Sequence, residues 1–172
     1  MLISALFLIP SSLYMVMVPV LSRRIYALHH ASGAEKATQH QALHQQLKKL
    51  AVATVGIGIA LTLGTFLFGP PLVDALLPPS YDSTATILRI LSGLLLFKTG
   101  SFAIGALLIA ANLQTPRVRW QALVAVMSAT VTYLLARPYG ITAVAWLYVL
   151  TEALLFGGYF VVAVRWLRKR DT

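Results

Sequence analysis

Three ionisable side chains, Arg89, Lys98 and Glu152, stand inside otherwise apolar runs of the chain. An Arg, Lys or acid at the centre of a membrane helix costs roughly 2.5–3.5 kcal/mol on insertion scales, so each calls for a specific compensation. Arg89 lies near the start of its run and can extend its guanidinium to the adjacent interface. Lys98 is nine residues further on, about 13 Å deeper at 1.5 Å per residue, where no interface is in reach. Steps of 100° per residue put the two on opposite faces, so they do not form one basic wall. Ser101, Gly105 and Asn112 continue the Lys98 face as a polar, small-residue stripe. Two chemistries suit it: an ion pair in a close-packed helix seam, or a cation lining a water-filled cavity that receives an anionic ligand.

Glu152 is the lone acid in such a run, with Tyr148, Phe156 and Tyr159 on its face at helical spacing. It can pair with Lys98, bind a proton or cation that couples transport, or contact a ligand. The aromatic stripe reads first as packing. The candidate binding set is therefore Lys98, Glu152, Arg89, Ser101 and Tyr148. His40 and His44 have metal-ligand spacing on a helix, with His29 and His30 nearby, but only Glu35 joins them in a Gln-rich polar segment. A solvated face without metal is expected there. No nucleophile–base–acid set, phosphate-cradling glycine loop or carboxylate pair is visible, and cysteine is absent. Neither enzymatic activity nor a cofactor is expected.

The elements that must hold these residues are helices in a bilayer. Of the 172 residues, 58% are hydrophobic and 11% charged, outside ordinary globular usage. The formal charge of +9 does not point to nucleic acid, because the basic residues sit at the ends of apolar runs rather than on a face with interleaved aromatics. The expectation is all-α: one polytopic membrane domain over 1–172. About five transmembrane helices are predicted, over 2–21, 50–68, 84–111, 120–136 and 141–164, with a basic loop over 22–49. The 84–111 helix would be about 42 Å long, more than the hydrocarbon core of about 30 Å.

Local signals set the boundaries. Pro10 and Pro19 would each remove a backbone donor, a loss tolerable only if neighbouring helices or hydroxyls such as Ser11 and Ser12 repair the bonding. Ser32-Gly33-Ala34-Glu35 reads as a capping box restarting a helix, which presents Leu43, Leu47 and Leu50 on one side. Gly69-Pro70-Pro71 is expected to stop the second span, and Pro78-Pro79 to keep the connection irregular. Asn112 suits a left-handed C-cap. Arg137-Pro138-Tyr139-Gly140 reads as a turn.

Charge asymmetry orients the bundle. Lys and Arg number five in 22–49, two in 112–119 and four in the C-terminal tail, against none and one in the intervening connections. By the positive-inside rule the basic loops and C-terminus are cytoplasmic and Met1 is outside, in the inner, cytoplasmic membrane of the cell. An odd number of helices with an uncharged, translocated N-terminus suggests a fragment, whose partners would be the lipid bilayer and either a missing N-terminal lobe or a second subunit.

Four motifs occur in the order found in one transporter family. Val18-Pro19-Val20-Leu21-Ser22-Arg23 resembles a Pro-x-Leu-Ser-Arg helix ending before a basic loop. Tyr81 followed by Thr84–Leu91 resembles a tyrosine, small-residue and Leu-Arg-Ile-Leu opening. Leu107-Leu108-Ile109-Ala110-Ala111-Asn112 is similar to a Leu-x-Ala-x-Gly closure, and Tyr139–Ala145 to a Gly-x-x-Gly-Ala-Ala entry. Together they resemble the C-terminal part of the polysaccharide-biosynthesis (Wzx-like) flippases, within the multidrug/oligosaccharidyl-lipid/polysaccharide exporter superfamily. Asn112 and Thr142 stand where that family prefers Gly, and Pro78-Pro79 replaces a Gly before the tyrosine.

The resemblance implies part of the second lobe of a two-lobe flippase. Such a transporter moves a lipid-diphosphate-linked oligosaccharide across the membrane by alternating access, for polysaccharide or lipopolysaccharide biosynthesis. A midplane Lys98 suits an anionic diphosphate, since attraction strengthens at low dielectric. The alternatives are a fragment of a cation-coupled multidrug exporter, with Glu152 as coupling site, and a non-transporting membrane scaffold.

Overall fold

A computed structural model of the chain describes residues 6–76, Pro78 and 82–171. Among these the elements are four helices: α1 (Leu8–His30), α2 (Ala34–Leu76), α3 (Asp82–Ala110) and α4 (Gln114–Asp171). Among the described residues, three helices (α2, α3 and α4) are long and apolar enough to cross a membrane. That number falls short of the five expected because it leaves out α1 and takes Gln114–Asp171 as one helix. The first expected span begins on residues outside the described ones, and α1 does not end at Arg23-Arg24 but carries that pair and His30 in its second half.

Helix α3 is the axis of the bundle and packs against the other three. It runs antiparallel to α2, because Gly58 faces Leu96 while the later Gly69 faces the earlier Leu88. It runs parallel to α1, because Phe7 lies near Lys98 and Tyr14 near Phe102.

Gly69-Pro70-Pro71 does not stop α2, which continues through both prolines to Leu76. Each proline forfeits one i→i−4 bond, a loss that membrane helices accommodate by local adjustment and neighbouring helices. Gly69 serves close approach instead. A Cβ there would lie 2.6 Å from Leu88 Cδ2, so the missing side chain lets α3 close onto α2. Pro10 is also less costly than its sequence suggests: it falls in the first turn of α1, whose N–H groups have no intrahelical partner in any case. Ser11 and Ser12 both donate to the Leu8 carbonyl rather than to the carbonyl that Pro19 orphans, which by helical count is that of Met15.

The restart after α1 is displaced by one residue from the expected box. Helix α2 begins at Ala34 with Gly33 before it at φ 53°, so Ser32 is one position too early to cap it, while Glu35 remains in the first turn. The end of α3 follows expectation closely. Asn112 has φ 59°, its N–H donates to the Ile109 carbonyl at 2.9 Å, and the Leu113 N–H donates to the Leu108 carbonyl at 2.8 Å. Those two bonds are the Schellman pattern, and Leu113 packs against the core cluster that contains Leu108.

Helix α4 is 58 residues long but breaks at Gly140, whose φ of 67° and ψ of −166° are open essentially to glycine alone. Three contacts nest around the break: Ser128 with Thr151, Trp120 with Leu154, and Arg117 with Tyr159. The arms, 114–139 and 141–171, are therefore an antiparallel hairpin. The expected turn at 137–140 contracts to one residue, and the basic stretch expected as a loop over 112–119 is helical from Gln114 onward. Thr142 lies in the opening turn of the second arm.

Burial is concentrated at the basic end. Leu21, Ile25 and Leu28 of α1, Leu43 and Leu50 of α2, Ala106–Leu108 of α3, and Tyr159 and Ala163 of α4 form one cluster there. Elsewhere Leu94, Leu95 and Val124 are buried, but many large apolar side chains point outward, including Met15, Val126, Leu134 and Ile141. In water so much contiguous apolar surface would drive association; against lipid it costs nothing.

Candidate functional site

The second arm of α4 runs parallel to α3, and the registration is set by glycines. A Cβ on Gly100 would lie 2.5 Å from Phe156 Cε2, so the Phe156 ring occupies the space that a side chain at 100 would need. Two turns earlier Gly93 faces Val149 at ordinary contact distance. This registration places Lys98 and Glu152 level with each other, and the Lys98 Nζ donates to Glu152 Oε1 at 2.5 Å. The two members are unequally shielded: the Glu152 side chain is 5% exposed, that of Lys98 27%. The rings of Phe7 and Phe102 approach the ammonium at 5.9 and 5.8 Å, adding cation–π attraction where water is sparse.

The pair leaves polar capacity unused. Glu152 Oε2 is buried without a hydrogen-bond partner, as is Ser101 Oγ, one turn along α3 from Lys98. A carboxylate oxygen can accept about two bonds and a hydroxyl can donate one, so the pair is flanked by an unfilled acceptor and an unfilled donor. Thr99, between them in sequence, is satisfied by the Leu95 carbonyl.

The other candidates fall elsewhere. Arg89 is exposed, on the opposite face from Lys98, as its spacing requires. Tyr148 is 48% exposed, whereas Tyr159 is buried and Phe156 packs on Gly100. Of the five candidates, the structure brings Lys98 and Glu152 into contact, with Ser101 one turn along α3 from Lys98. His40 and His44 have no third metal-ligating group near them, and no such group occurs among the described residues.

Arg117 is a residue that charge counting misses. It was legible only as a loop charge, yet in α4 it turns inward, its guanidinium carbon 5.8 Å from the Tyr159 ring centre and its Nε buried without a partner. A side chain at Gly105 would meet it at 3.8 Å. Gly105 and Tyr159 are each seven residues beyond Lys98 and Glu152, so Arg117 forms a second cationic tier about 10 Å toward the basic end. The signal was available once the helix start is placed at Gln114, since Arg117 and Arg119, two apart, must face nearly opposite ways.

An apolar cleft of about 290 Å³ lies between α2, α3 and the second arm of α4, lined by Leu50, Thr54, Gly100, Ile104, Phe156 and Phe160. Neither Lys98 nor Glu152 lines it. Comparison of the chain with protein-family models, with curated proteins and with solved structures returned no match.

Proposed function

We propose that this chain is part of a membrane transporter of the polysaccharide-flippase type. In this reading it carries a lipid-diphosphate-linked oligosaccharide across the cytoplasmic membrane. Its helices supply about five spans, with α1 and the two arms of α4 counted separately and the basic ends of the helices at the cytoplasmic face. The observation that supports it is the half-buried Lys98–Glu152 pair between parallel helices, with Glu152 Oε2 and, one turn along α3, Ser101 Oγ unpartnered. Lys98 would be the cation that a diphosphate displaces from Glu152, and Glu152 the latch that reforms when cargo leaves. Arg117, one tier nearer the basic end, would receive the anion first.

A second reading is favoured by one specific feature, the closure of the ammonium by Phe7 and Phe102. Here the pair is a structural lock between α3 and α4, and the chain a scaffold that moves nothing. The two readings separate in cells bearing Lys98→Met, Glu152→Gln or the combined Lys98→Met/Glu152→Leu protein, with lipid-linked oligosaccharide on the outer leaflet as readout. The transport reading expects all three variants to stall export while the double variant is membrane-inserted and stable. Normal export by the double variant would sink it in favour of the lock.

A further inference from the structure

The outer face of the α4 hairpin carries a groove of about 680 Å³ that plays no part in the Lys98 site. Its walls are two i+4 stripes, Thr115, Arg119 and Leu123 on the first arm and Ala153, Gly157, Val161 and Arg165 on the second. We infer that this groove binds an anionic phospholipid, its phosphate between Arg119 and Arg165 and one acyl chain along Leu123, Gly157 and Val161.

Three observations converge on that occupant. The first is charge: both ionisable residues of the lining are arginines, and both are exposed, so the guanidiniums are free to form paired hydrogen bonds to phosphate oxygens. The second is polarity along the length, with Arg165 at the basic end and the floor beyond Arg119 apolar. The third is dimension. From Ala153 to Arg165 the groove runs twelve residues, about 18 Å, close to half of a hydrocarbon core of about 30 Å. It therefore matches the depth of one leaflet, the leaflet at the basic end. Its depth comes from the glycine pair. The Trp120 indole packs directly on Gly158 and donates to the Leu154 carbonyl at 3.1 Å, while a Cβ at Gly157 would meet nothing within 4 Å and points into open space.

The test uses the full chain in nanodiscs with a photoactivatable-acyl phosphatidylglycerol, against the same probe on phosphatidylcholine. Crosslinks from phosphatidylglycerol are expected at Leu123 and Val161, with little from phosphatidylcholine. Arg119→Gln/Arg165→Gln should reduce them about tenfold or more, each basic residue near a membrane surface being a sizeable part of the attraction. Arg23→Gln/Arg24→Gln, which removes the same charge from α1, should leave them unchanged. Gly157→Leu, whose Cβ meets nothing within 4 Å and whose side chain fills the floor while both arginines remain, should also abolish them. Equal loss in both double arginine variants would mean attraction to the basic surface as a whole and would overturn the assignment. So would undiminished crosslinking in Gly157→Leu, or equal labelling by phosphatidylcholine.

Discussion

The Trp120 indole occupies the place that a side chain on Gly158 would take. Its Nε1 donates to the carbonyl of Leu154, four residues before Gly158 on the same arm. The hairpin of α4 thus closes on a tryptophan–glycine contact with a hydrogen bond attached, in a medium where an unpaired indole N–H would find no water.

Gly158→Ala is therefore expected to destabilise the hairpin by about 1–3 kcal/mol, the range for overpacking a filled site. Thermal unfolding of the detergent-solubilised chain measures it. Trp120→Ala in the same background should recover part of the loss, because the atoms in conflict are gone. An additive double variant would show that the strain is not between these two residues.

Gly140 offers a contrast, since a Cβ there meets nothing and the whole constraint is in the backbone. With φ at 67° and ψ at −166°, Gly140→Ala should cost about 1–3 kcal/mol although it removes no contact. Gly56→Ala, equally open but in regular helix, should cost nothing and is expected to add about 0.5–1 kcal/mol. Parallel melting curves for the two variants check the pair of signs.

What the sequence disclosed and what it hid divide along physical lines. The Asn112 cap was legible because a left-handed residue after an apolar run has few other uses. The Lys98–Glu152 pair was legible because two lone opposite charges in lipid have strong reason to meet. Gly69-Pro70-Pro71 misled, since proline is a reliable breaker in water but a weak one where neighbouring helices support the backbone. Arg117 was hidden because the expected span starts at Trp120, nearly two turns after the actual start of α4 at Gln114, and a residue read as loop has no facing direction.

The Asn112 cap yields its own expectation. Asn112→Gly should be neutral or slightly stabilising, while Asn112→Val, β-branched at φ 59°, should fray the end of α3. Hydrogen exchange at the amides of Asn112 and Leu113, which close the two Schellman bonds, reports this directly. Unchanged protection in Asn112→Val would show that the cap does not hold the helix end.

The last prediction concerns the ion pair as a source of stability, apart from any transport. Removing one member leaves the other charge buried, which costs about 3–5 kcal/mol in a protein interior. The cost should be unequal here. Glu152 is almost wholly shielded, whereas Lys98 is 27% exposed and has a flexible stem. Lys98→Met strands the carboxylate and should be the more damaging change; Glu152→Leu strands an ammonium that can swing toward the exposed side and keep its contacts with Phe7 and Phe102. The combined variant should be close to the parent in stability, because neither charge is then left alone. Unfolding in a fixed detergent across the four proteins measures the coupling. A double variant as unstable as Lys98→Met would mean that the pair contributes through shape, and that Glu152 Oε1 is not what holds Lys98 in place.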